Sequence, residues 1–127
     1  MCPLRNELGF TLLDNLIALV ILSVVLMGLV GLATTVITGN AISKSRTVGL
    51  TLVQDKIEDA RRAGYDYTLT ATQTVTEPYG FNPEYPQFRR DTVTRVNAPG
   101  LGMQTVTVTV YWGGDAHSVT QSTLLAR

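Results

Sequence analysis

Three places in this chain bring together side chains of types that do chemistry. The first is Asp14, a carboxylate inside an apolar run that reaches Val36-Ile37. From Leu16 to Ala33 the only side chain that is neither apolar nor glycine is Ser23. An ionisable group in such a segment is expensive in lipid and is by default a functional residue. The second place is Asp115, His117 and Ser118. A hydrolytic relay needs each side chain to face the next, and neighbours in sequence on a hairpin do not build one. A solvated, turn-flanking histidine is the expectation there. The third is Asp55, Glu58 and Asp59, whose spacing on a helix gives a solvated acidic face rather than a cation site. No Gly-rich phosphate loop or metal-ligand spacing occurs, and one histidine beside one cysteine leaves little for a metal. The chain therefore reads as a non-enzyme with no catalytic residue, cofactor or metal.

The elements that must position Asp14 follow from periodicity. About 20 apolar residues at 1.5 Å rise per residue are what a helix needs to cross a bilayer. The helix is expected to run on beyond the membrane, because Leu50, Val53, Ile57, Ala60 and Gly64 fall on one helical face. Glu58 lies four residues before Arg62, a supportive spacing. Arg61 and Arg62 suit the negative C-terminal end, and Gly64 is a C′ candidate. A helix from about Phe10 to Ala63 would be roughly 80 Å long, a length that fits a spanning rod. Gly28, Gly31 and Gly39 interrupt it, each at about 1 kcal/mol relative to alanine in an exposed helix. They fit either close packing of small residues or a weak stretch that unwinds on assembly.

From Asp66 to Gln87 the sequence is polar and turn-rich, with Pro78, Gly80, Pro83 and Pro86, and reads as a connection. Tyr65, Tyr67, Tyr79, Phe81, Tyr85 and Phe88 gather around it as expected anchors on the helix–sheet edge. Three strands are predicted beyond. Arg89–Val96 is Thr/Val-rich. Gln104–Trp112 alternates strictly, with Val106, Val108, Val110 and Trp112 on one face. After the turn signal Gly113-Gly114-Asp115-Ala116, His117–Leu125 returns as the last strand. The expected fold class is α+β, a long N-terminal helix whose amphipathic half packs on a small antiparallel sheet.

Composition bounds what else the chain can do. At 127 residues, 45% hydrophobic and 16% charged, it allows one small domain plus an anchor. Ten basic and ten acidic residues balance, which gives no argument for nucleic-acid binding. The only cysteine is Cys2, so residues 10–127 contain none for an internal disulfide. An ordinary secretory signal would need a basic start and a shorter apolar run, whereas Arg5 and Glu7 cancel. A simple anchor explains the hydrophobicity but not why Gly9-Phe10-Thr11-Leu12-Leu13-Asp14 stands at its edge.

That edge resembles the class III signal of type IV prepilins and type II secretion pseudopilins: a short polar leader ending in Gly, then Phe, an acidic residue and an apolar helix. The resemblance implies cleavage between Gly9 and Phe10 by the prepilin peptidase/N-methyltransferase, and N-methylation of the new Phe10 amine. It also implies that Asp14 pairs with the Phe10 amine of a neighbouring subunit, an attraction far stronger in a dry core than in water. The acidic residue is Asp14 where that family usually has Glu, one methylene shorter in reach. The segment Val106–Trp112, the Gly/Asp turn and His117–Ala126 resemble the close of PilV-type minor pilins. Leu52–Arg61 resembles their helix continuation.

From this resemblance follow the expected organisation and role. Residues 1–9 would be a cleaved leader, and 10–37 the transmembrane and polymerisation helix. Residues 38–127 would be a periplasmic pilin domain with helix to about 63, loop 64–87 and sheet 88–126. The chain would be a minor pilin that initiates or caps a type IV pilus, first single-pass in the inner membrane and then at the cell surface. Its partners would be other minor pilins, the major pilin, the inner-membrane assembly platform and membrane lipid. A minor pseudopilin of a type II secretion system is the alternative within the family. A membrane-anchored periplasmic binding module that never polymerises is the alternative outside it.

Overall fold

A single helix, α1 (Glu7–Ala63), precedes four strands: β1 (Gln73–Glu77), β2 (Phe88–Val96), β3 (Met103–Trp112) and β4 (His117–Ala126). The computed structural model describes residues 7–127, with side chains from Thr11 onward. Of the expected leader, residues 1–9, positions 1–6 lie outside the described residues, as does the side chain of Phe10. The fold is α+β, one long N-terminal helix that is apolar in its first part and a small antiparallel sheet. Two compact units divide after Ala41. In the first, the described residues 7–41 are all helix. The second, Ile42–Arg127, holds the sheet and the last part of α1.

α1 ends for a local reason. Gly64 takes φ +74°, the left-handed region open to glycine, and its N–H donates to the Ala60 carbonyl at 3.0 Å. Arg61 and Arg62 occupy the last turn, beside the partial negative charge of the free carbonyls.

In the second unit the strands follow the order β1-β2-β3-β4, all antiparallel neighbours. Alternation along β3 sends Gln104, Val106, Val108, Val110 and Trp112 inward. The valines and Trp112 meet Leu52, Val53 and Ile57 of α1 and Phe88 of β2 in one core. The buried helix stripe is rotated slightly from the expected one. Gly49, Leu52, Val53 and Ile57 are buried, while Leu50 is only half-buried. Gly49 sets this rotation: a Cβ there would lie 3.2 Å from both the Trp112 ring and a Val119 methyl. The indole therefore occupies the space of the missing side chain.

The stretch 64–87, expected as a connection only, contains β1. Its Thr74-Val75-Thr76 core is β-branched, but four of its five residues are exposed and it pairs with β2 alone. A strand with no buried face has no apolar alternation to betray it. Of the aromatics around this stretch, Phe81 and Tyr85 pack against the core, while Tyr67 is 68% exposed.

Two polar arrangements pin the sheet to its surroundings. Arg90 on β2 forms a two-pronged ion pair with Glu77 of β1. It also donates through Nη1 to the Leu52 carbonyl of α1 at 3.0 Å, with its guanidinium 4.8 Å from the Phe81 ring centre. Lys56 lies 3.9 Å from Glu77. The hydrogen bond from Arg90 holds the Glu77 carboxyl below its ordinary pKa, against the opposing pull of burial. Gln104, fully buried, donates through Nε2 to the Asp66 carbonyl at 2.7 Å and accepts from the Asp66 N–H at 3.0 Å.

Candidate functional site: the apolar helix and its carboxylate

Asp14 is the only charged residue between Glu7 and Lys44. Every residue from Thr11 to Lys44 is exposed. Around Asp14, Leu12, Leu13, Leu16 and Ile17 are 50% to 66% exposed, so an apolar collar surrounds the carboxylate. α1 is long and apolar enough to cross a membrane. Twenty residues separate Asp14 from Thr34, which at 1.5 Å per residue is about 30 Å, the thickness of a hydrocarbon core.

The other polar side chains of this stretch are largely neutralised by the helix itself. Ser23 donates to the Leu19 carbonyl at 2.7 Å, and Thr34 and Thr35 both donate to the Gly31 carbonyl at 2.8 and 3.0 Å. Thr38 donates to the Thr34 carbonyl at 2.9 Å. Such back-bonding lets hydroxyls enter lipid without an unmet hydrogen bond. Asp14 and its neighbour Asn15 have no partner among the described residues, and of the two only Asp14 carries charge. A helix surface of this kind has two uses for a carboxylate: a place at the membrane–water boundary, or a cation brought by another molecule.

Among the described residues, the structure does not bring Asp14 together with a second functional side chain. Gly9 and Phe10, the expected cleavage pair, have no described side chains. Among the described residues, and apart from the adjoining turns of the helix itself, no atom lies within 4 Å of a Cβ built on Gly28, Gly31 or Gly39.

The other two candidate groups are engaged elsewhere or open to water. Asp115 accepts from the Tyr79 hydroxyl at 2.7 Å and approaches Arg89 at 3.4 Å. His117 stacks on Trp112 with ring centres 5.7 Å apart, and Ser118 points to the opposite sheet face. These three side chains do not converge. Asp55, Glu58 and Asp59 are exposed on α1, with Glu58 3.8 Å from Arg62. Among the described residues no three His, Cys, Asp or Glu side chains are grouped to hold a metal ion.

Gly49, Arg90 and Gln104 have structural roles that apolar periodicity and motif do not announce. For the last two a signal existed. Arg90 has the inward parity of Phe88, and Gln104 has that of Val106. Compared with family models, with curated proteins and with solved structures, the chain shows no match.

Proposed function

We propose that this chain is a minor subunit of a type IV pilus, processed at Gly9–Phe10 and held in the inner membrane by α1 before it joins the initiating or capping complex. The observation that carries the reading is the lone carboxylate of Asp14, four residues after Phe10 on an otherwise apolar, exposed helix. A cut before Phe10 creates a cationic amine, and methylation retains its charge. Asp14 of one subunit and that amine on the next form a charge pair where water is scarce, which favours assembly and penalises an unmatched partner. The small antiparallel sheet on the far part of the helix gives the subunit a folded body outside the cytoplasm, in keeping with the pilin plan.

The test compares Asp14→Ala and Asp14→Glu with the wild-type chain at matched membrane levels, read by crosslinking to partner pilins. An acidic residue costs about 2.5 to 3.5 kcal/mol at a helix centre on translocon scales, less near the interface, so Ala inserts at least as well. Loss of crosslinking in Ala, with retention in Glu, is the expected result. Equal crosslinking in all three chains would make Asp14 only a marker of the membrane boundary.

A further inference from the structure

The two edges of the sheet are built differently. β1 is five residues long, and Glu77 at its end is held by Arg90 and Lys56. β4 is ten residues long and contains no Asp, Glu, Lys, Arg, Pro or Gly. All ten of its residues keep regular register with β3, so no bulge turns the strand away. Edges of this length are normally blunted by charge, proline or a bulge, because unpaired N–H and C=O groups template another strand. One bond fixes which groups are free. The Arg127 N–H donates to the Gly102 carbonyl at 2.9 Å, so Arg127 and every second residue before it turn their backbone groups toward β3. Ser118, Thr120, Ser122, Leu124 and Ala126 turn theirs to the open edge.

Beside this edge runs a groove of about 560 Å³ between α1 and β4, lined by Asp55, Ile57, Glu58 and Arg61 with Gln121 and Ser122. Its one base is occupied, since Arg61 Nε donates to the Thr123 hydroxyl at 3.1 Å. Asp55 has no partner among the described residues, and Glu58 has only the exposed Arg62 at 3.8 Å. The groove therefore offers an apolar floor at Ile57 and an acidic rim. On the opposite sheet face, Thr120 and Ser122 share hydroxyl hydrogen bonds with Thr109 and Thr107 at 2.9 and 3.0 Å. A hydroxyl on an added strand would extend those rows.

We propose that the free edge of β4 is a strand-addition site for an extended segment of a partner protein whose residues facing α1 alternate between apolar and basic. The apolar positions cover Ile57, and the basic ones meet Asp55 and Glu58. A second copy of this chain does not match. Its β1 would turn either Gln73, Val75 and Glu77 or Thr74 and Thr76 toward the groove, and neither set carries a base to meet the acidic rim. Its β4 carries no base other than His117. The inference rests on the sheet edge alone and stands or falls separately from the pilus reading.

The test uses the full chain in detergent micelles and a peptide carrying fluorescein on its N-terminal amine, fluoresceinyl-Thr-Val-Thr-Lys-Thr-Val-Thr-Lys-Thr-Val-amide, against its Lys-to-Glu counterpart, read by anisotropy. The Lys peptide is expected to bind about tenfold or more tighter than the Glu peptide. Asp55→Asn with Glu58→Gln should erase that preference. Thr120→Pro removes an edge-directed N–H but no backbone bond to β3, together with the hydroxyl bond to Thr109, and should weaken binding about tenfold or more. Thr120→Val, which keeps the N–H, should bind like wild type. Trp112 emission reports whether each variant is folded. If Thr120→Pro unfolds, peptides methylated at alternate backbone nitrogens, one in each frame, carry the same test, and one of them must lose binding. Absent binding of both peptides, equal affinity for both, or unchanged binding when the edge bonds are removed would each overturn the proposal. So would self-association of the chain that Thr120→Pro abolishes, which would put a second copy on the edge.

Discussion

The buried amide of Gln104 closes a pair of hydrogen bonds on the backbone of Asp66, donating to its carbonyl at 2.7 Å and accepting from its N–H at 3.0 Å. One side chain thus ties the chain leaving α1, outside any strand, to the start of β3. Gln104→Leu keeps the volume but leaves both backbone groups without this partner. The expected loss is about 1–3 kcal/mol, read as a lower denaturant midpoint followed by emission of Trp112, the only tryptophan and 8% exposed. An unchanged midpoint would mean that water replaces the amide freely.

Glu77 and Arg90 predict a pH dependence. The hydrogen bond from Arg90 lowers the Glu77 pKa from its ordinary 4.5. The native state therefore holds its proton less tightly than the unfolded chain, and the pair contributes stability above about pH 4.5 that is lost as pH falls through the lowered native value. Wild type should be more stable than Glu77→Gln at pH 7, and the gap should be smaller at pH 3. A gap of the same size at both values would assign the effect of the substitution to packing.

Gly49 predicts an overpacking defect. Valine there must displace the Trp112 ring and the Val119 methyl, each 3.2 Å from where its Cβ would stand. It should cost about 1–3 kcal/mol, more than the helix propensity it restores. The Trp112 emission maximum should move as the ring shifts. Stabilisation with unchanged emission would show that the indole yields without cost.

Val108 is fully buried at the centre of the sheet. Val108→Asp places a charge there with no partner, which typically costs about 3–5 kcal/mol. The second unit should lose its cooperative Trp112 transition while α1 stays in the membrane fraction.

The parts of this fold that were legible in the sequence are those where one face is buried. Val106, Val108, Val110 and Trp112 alternate against threonines and tyrosine, and that parity alone placed them inside. The stop at Gly64 was legible because arginines and a glycine mark a helix end in fixed order. β1 was not, since nothing in Gln73–Glu77 turns to a core. Leu52 was passed over for Leu50 because helical periodicity fixes a stripe only to within one residue, and the deciding contact, Gly49 against Trp112, spans 63 positions of chain. Gln104 and Arg90 hid behind their polarity: their parity put them inside, but a polar side chain in that place is stable only with partners that sequence does not reveal. Asp14 stood out because hydrocarbon tolerates so few charges that one carboxylate in the run is conspicuous.

The central claim concerns the start of the mature chain, and mass spectrometry of its N-terminal peptide from cells that carry a prepilin peptidase tests it most directly. The account predicts a peptide beginning at Phe10 with one methyl group on its amine, and persistence of the uncut chain when Gly9→Val crowds the scissile bond. A wild-type chain still beginning at Met1, or cut at any other bond in those cells, would contradict it.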